Sequence, residues 1–446
     1  MKRLGTPSSI ASVGALALVL SGLTSIGCTE TARQDSDVAA LGDTVDARDV
    51  DDAAAETSDT TGVDEVVADV EPHETTGSDV TADVGDSADP DGGDAVEPDP
   101  WSAPGPFRVG YRKDALTYEP ADGSGTRALT LAIWYPTRDT EGDAVSYFSI
   151  LPAPDVLGGA DPADDLGARP LVVFSHGNTS FSEQSSFFTE HLATHGYVVV
   201  APDHTGNLFG DSFDAALFHW RPDDVVAVLD HMDALAEGDA LAPLMGGKVA
   251  VTGHSFGGYT TLALGGAAWA VDAILAFCES GALPLGACGA LEAHTDLYRA
   301  GFADARVAAL IPMTPGLTRV FGEAGVAAIT LPTMLMTGAL DKTTTNAADG
   351  DPTWAQLATR PDNLRLDFAT GGHFTFSDAC AFPVEIGLGD GCGDGFITAA
   401  DAHRAINAYA LAFLRRHLED DERGAPLLDG SVTIEPTVTV TRGELP

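Results

Sequence analysis

The chain has 446 residues, with 67 acidic against 23 basic side chains and a formal net charge of -44. A field of that sign repels phosphate backbones and anionic bilayers. It excludes non-specific nucleic-acid binding and leaves only covalent or hydrophobic routes to a membrane.

The charge is unevenly placed. Thr29–Pro100 holds 23 acids and two bases, whereas the 346 residues that follow carry a net -25. The acidic stretch has no Phe, Trp, Tyr or Lys, so it cannot bury enough apolar surface to offset chain entropy. It is expected to be a disordered, self-repelling tether over 29–100. Before it, Lys2 and Arg3 precede an apolar run from Ile10 to Leu23 and the small residues ahead of Cys28. That is the pattern of a secretory signal, and the Cys resembles the lipobox of bacterial lipoproteins. The resemblance implies a lipoprotein-type signal peptide over residues 1–28, lipidation at Cys28, a cell-envelope location and a membrane anchor through that lipid.

From Trp101 onward strands and helices alternate. Ala128–Tyr135, Pro170–Ser175, Tyr197–Pro202 and Lys248–Gly253 are apolar runs of strand length, and the last three suit strands buried on both faces. Helical spacing follows over Glu183–Thr194 and over Pro222–Leu235, the latter with acids in its first turn. Val271, Ile274, Leu275 and Cys278 fall on a helical stripe, so residues 267–305 are read as a helical insertion bordering a binding cleft. Further strands are expected at Arg306–Met313, Thr333–Gly338 and Leu364–Phe368, with a terminal helix over Ala400–His417. The alternation predicts an α/β domain over 101–446 whose mostly parallel sheet is flanked by helices.

Gly253-His254-Ser255-Phe256-Gly257 places a serine in G-x-S-x-G, directly after an apolar strand and before a helix. So sharp a turn lifts the hydroxyl above the sheet at a helix N-terminus, and side chains at the glycine positions would clash. A serine needs a base, and the base needs an orienting acid. Asp341 after the strand at Thr333, and His373 after the strand at Leu364, stand in the order Ser, acid, His. The backbone N–H groups of Phe256 and Asn178 are expected to form an oxyanion hole, with His176 bracing the Asn178 loop. His254 is expected to pack beneath the turn. No diffusible cofactor or metal is called for.

These motifs, together with Ile133-Trp134-Tyr135-Pro136, Phe174-Ser175-His176-Gly177 and His373-Phe374-Thr375-Phe376-Ser377-Asp378, resemble the α/β-hydrolase superfamily. Within it the resemblance is to the bacterial dienelactone hydrolase-like and platelet-activating-factor-acetylhydrolase-like group. It implies a serine esterase acting on small-molecule or lipid esters. Two positions differ. Dienelactone hydrolases proper use Cys where this chain has Ser255, and the eukaryotic acetylhydrolases place their acid near Val307–Met313, where no Asp occurs.

Three other features stand out. Cys278, Cys288, Cys380 and Cys392 are an even set, which in an exported chain suggests disulfides, most simply 278–288 and 380–392. Asp390 to Asp401 imitates a calcium loop, although Cys392 is a poor ligand there, and a Gly-rich loop tied by Cys392 fits better. Phe209, Phe213, Phe218 and Trp220 form an aromatic cluster that suits either a pocket wall or loop packing.

Overall fold

A computed structural model describes residues 99–279, 286–382 and 387–445. The signal-like segment, Cys28 and the acidic stretch as far as Pro98 lie outside the described residues.

Among the described residues one sheet carries eleven strands, in the order β11-β10-β9-β8-β7-β5-β6-β2-β1-β4-β3. They are β1 (Arg108–Tyr118), β2 (Arg127–Thr137), β3 (Asp143–Tyr147), β4 (Leu151–Gly158), β5 (Leu171–Ser175) and β6 (Val198–Asp203). β7 (Val249–His254), β8 (Val307–Met313), β9 (Met334–Gly338), β10 (Leu364–Phe368) and β11 (Val438–Arg442) complete it. The block from β6 across to β10 is parallel. Antiparallel β2 and β11 flank it.

Parallel neighbours need crossovers, and helices supply them. α1 (Ser186–Thr194) follows β5, α2 (Leu217–Asp233) follows β6 and α3 (Phe256–Leu264) follows β7. The insertion adds α4 (Val271–Cys278), α5 (Ala287–Ala293) and α6 (Thr295–Ala300). α7 (Asp351–Leu357) joins β9 to β10, and α8 (Ala399–Glu419) follows β10. Because strand side chains alternate, Val173, Val251 and Leu310 enter the core under α2 and α3. Val172, Ala250 and Ile311 enter the opposite one, under α1 and α8. Burial on both faces is what made these strands unbroken apolar runs.

Two expectations need correction. α2 starts at Leu217, five residues before the expected Pro222. Pro222 cannot donate to the Phe218 carbonyl, and the Tyr259 hydroxyl donates to that carbonyl instead, at 2.7 Å. A tertiary contact thus lets the helix run through its proline. The 267–305 insertion is helical, but it packs into the core through Trp269, Ile274, Leu291 and Tyr298. None of its described residues lines the cavity beside Ser255; Val271 and Ile274 of its apolar stripe are buried in that core, and Leu275 and Cys278 pack against it.

Candidate active site

Ser255 sits between β7 and α3 at φ 58° and ψ -116°, outside the regions open to most L-residues. Its surroundings hold it there. Its N–H donates to Met313 O (3.0 Å), and its carbonyl accepts from Gly258 N (2.9 Å) and Gly316 N (3.0 Å). A Cβ at position 257 would stand 1.8 Å from the Ser175 carbonyl oxygen, so the glycine there is a steric requirement. Ser255 is partly exposed and borders a cavity of about 120 Å³, which His373 also lines.

His373 and Asp341 leave the ends of β10 and β9, and meet. His373 Nδ1 lies 3.0 Å from Asp341 Oδ2. The other carboxylate oxygen accepts the backbone N–H groups of Thr343 (2.8 Å) and Thr344 (2.7 Å). Burial would raise the Asp341 pKa, but the His373 charge and these donors hold it down at about 2. Burial would lower that of His373, yet the adjacent Asp341 carboxylate outweighs it and the pKa is raised above the ordinary 6.5.

A chain of hydrogen bonds ties the Asn178 loop to the His373 loop. Gly177 N donates to Gln184 Oε1 (2.6 Å), Gln184 Nε2 to His254 Nδ1 (2.7 Å), and His254 Nε2 to His373 O (2.8 Å). Burial and the nearby His373 push the His254 pKa down to about 3, so it stays neutral and can play both roles. Asn178 is held in turn, its Oδ1 accepting from Asn207 Nδ2 at 2.8 Å.

A second Ser–His–Asp arrangement lies deeper. Ser175 Oγ is 2.9 Å from His204 Nε2, and His204 Nδ1 is 2.8 Å from Asp224 Oδ2. All three side chains are fully buried, and none lines the cavity. Arg221 Nη2 donates to Ser175 Oγ (3.0 Å) and to the His176 carbonyl, and its Nη1 donates to Asn207 (2.5 Å). Arg127 and Tyr118 donate to Asp224. Burial, reinforced by the positive charge of Arg221, holds His204 far below its ordinary pKa. This arrangement braces the Asn178 loop from below.

The sequence pattern described as the alpha/beta hydrolase family matches residues 172–425. The chain belongs to that family. A chlorophyllase type 0 from Chenopodium album is 33% identical over 109 residues, which make up 22% of this chain and 29% of the chlorophyllase. The match therefore spans less than a third of that relative's length. A solved ferulic acid esterase from Streptomyces cinnamoneus is 23% identical with a TM-score of 0.53, covering 77% of this chain and 99% of that one. At that identity the likeness speaks to the fold alone.

Asp390, which the sequence left in a Gly-rich loop, meets the candidate site. Its carboxylate accepts His373 N (3.0 Å), Lys342 N (2.9 Å) and Thr343 Oγ1 (2.8 Å), stapling the Asp341 loop to the His373 loop. Asp401 accepts from Thr398 and Arg404 at the start of α8, so the two ends of the imitated calcium loop serve different tasks. The disulfides join Cys278 to Cys288 and Cys380 to Cys392, and the second clamps the Asp390 loop. Phe209 lines the cavity, while Phe213, Phe218 and Trp220 pack on the core.

Asp122, His219 and His294 also come within 4.8 Å of one another. However, both ring nitrogens of His219 are engaged, by Asp122 (2.9 Å) and by Tyr298 (3.0 Å), so this is a hydrogen-bonded cluster. Among the described residues no helix is long and apolar enough to cross a membrane.

Proposed function

We propose that this protein is an exported serine hydrolase that cleaves carboxylic esters through an acyl-enzyme. The observation that carries the reading is Ser255, strained at the strand-to-helix turn and opening on the same cavity as His373, with Asp341 behind the imidazole. With Nδ1–H donated to Asp341, Nε2 of His373 is the atom that takes the Ser255 proton as Oγ attacks the ester carbonyl. The backbone N–H groups of Asn178 and Phe256 stabilise the oxyanion, since Gly177 N–H is already committed to Gln184. His373 then protonates the departing alcohol. Water, deprotonated by the same nitrogen, releases the acid and restores Ser255.

That the protein of similar fold from Streptomyces cinnamoneus is a ferulic acid esterase agrees with this chemistry. The sequence motifs favour the dienelactone hydrolase-like and acetylhydrolase-like group. The two disulfides agree with an oxidising, exported location. Lipidation at Cys28 would anchor the hydrolase to a bacterial membrane, the acidic tether holding it off the surface. A membrane-fraction protein whose N-terminal mass shift disappears in Cys28→Ser is the expected result for that part.

The chemistry is tested with a fluorophosphonate probe. One label per chain is expected on the peptide containing Ser255, with none in Ser255→Ala. A folded protein that takes no label and turns over no ester would favour a non-catalytic binding role instead.

A further inference from the structure

Five phenylalanines around the cavity belong to neither core. Phe181, Phe209, Phe374 and Phe382 line it, and Phe148 packs on them from outside. They come from different segments: the β3–β4 turn, the loops after β5 and β6, and the chain after β10. Phe148 stacks on Phe181 with ring centres 4.5 Å apart, and meets Phe209 edge-on at 6.2 Å. Phe382 meets Phe181 edge-on at 5.7 Å. These are the spacings at which aromatic pairs attract beyond simple burial.

The cluster is maintained at a cost. Phe148 and Phe209 are 41% and 39% exposed. Phe148 and Ser149 take φ values of 47° and 60° at a turn where Asn and Gly are the usual occupants. The neighbouring Tyr147 is pinned by Trp134, whose Nε1 donates to its hydroxyl at 2.8 Å. A strained turn that presents a half-exposed ring beside the candidate nucleophile's cavity points to function rather than packing.

The lining states what would fit. Among the described residues its large apolar side chains are all Phe, Ala379 is its only aliphatic one, and it has no Asp, Glu, Lys or Arg. In a chain of net charge -44, an uncharged wall suits a neutral group, because desolvating a charge there would be costly. A volume of about 120 Å³ is close to the apolar cavity of about 150 Å³ known to hold benzene. That is room for one ring, and rigid ring walls offer a long flexible chain few places to adapt.

We propose that this ring cluster is a subsite for an aromatic group carried by the ester, on either its acyl or its alcohol side. The proposal rests on the ester-hydrolase reading and deepens it. Its test compares kcat/KM by pH-stat on the full chain for methyl 3-phenylpropanoate against methyl octanoate, and for benzyl acetate against hexyl acetate. At least one aryl ester is expected to exceed its alkyl partner by about tenfold, and the arm that does so identifies the side. Phe181→Leu and Phe209→Leu should each shrink that ratio several-fold, and Phe181→Tyr should retain it. Should either Leu variant melt early, Phe148→Leu at the exposed turn gives the same reading. A wild-type ratio at or below unity, or a ratio unchanged in well-folded Leu variants, overturns the subsite alone. No turnover of any ester, with Ser255 unlabelled by the fluorophosphonate, overturns the hydrolase reading and the subsite with it.

Discussion

Two Ser–His–Asp sets stand out among the described residues, and they differ in how they are joined. Ser175, His204 and Asp224 are joined by bonds of 2.9 and 2.8 Å, whereas Ser255 and His373 share a cavity, with Asp341 3.0 Å from the imidazole. By distance alone the first is the more complete. It is nonetheless sealed in the core, its serine oxygen also bound by Arg221 and its acid shared with Arg127 and Tyr118. Ser255 stands on a strained turn beside a cavity and is partly exposed. A nucleophile is defined by what can reach it and by what its oxygen is left free to do, so the residue types alone do not decide.

Substitutions can break that comparison. Ser255→Ala should lower kcat by about a thousandfold or more, since nucleophile and base act as a unit. Ser175→Ala should lose far less activity. Comparable losses in the two variants at equal melting temperature would erase the distinction. Asp341→Asn comes next, with an expected loss of about 10³–10⁴ in kcat.

It should also move the pH profile. His373 has to be neutral to take the proton, and Asp341 raises its pKa above 6.5. Log kcat/KM of the wild type should therefore climb with pH to an inflection above that value. In the Asn variant the inflection should fall. The linked stability carries the opposite sign: the charged pair contributes fully below pH 6.5 and is lost as pH rises through the raised pKa.

Asp224→Asn should act on folding. It strands buried Arg221 and Arg127, and a cost of about 3–5 kcal/mol is expected in denaturant unfolding, with the pH inflection unmoved. The smallest effect is expected at the disulfides. Replacing Cys380 and Cys392 by Ser should loosen Asp390 and reduce kcat by roughly tenfold, since small misplacements of a base are expensive. The same change at Cys278 and Cys288, in the insertion, should lower the melting temperature with little change in rate.

The strand-to-helix turn at Ser255 and the places of Asp341 and His373 in the fold were legible because each obeys a local rule: glycines at a sharp turn, and polar residues just past apolar strand ends. The bracing set was not. Gln184, Asn207, Arg221 and Asp390 occupy segments whose spacing carries no signal, and Asp390 even imitates a calcium ligand. The strands beyond β2, toward the β3 edge of the sheet, were similarly hidden. β1 interrupts its alternation with Arg112-Lys113-Asp114 and β4 contains two prolines, so neither shows the unbroken apolar run of a doubly buried strand. The proline inside α2 misled the boundary there because the hydroxyl of Tyr259, 41 residues away from Phe218, replaces the missing donor.

Local chain chemistry was thus sufficient to specify the α/β order and a serine raised at a strand-to-helix turn, because periodicity and turn sterics act over a few residues. Which of two serines faces a cavity, and which five phenylalanines escape the core to surround it, are matters of solvent access and of contacts between distant segments. Those exist only once the sheet has closed and the loops above it have been brought together.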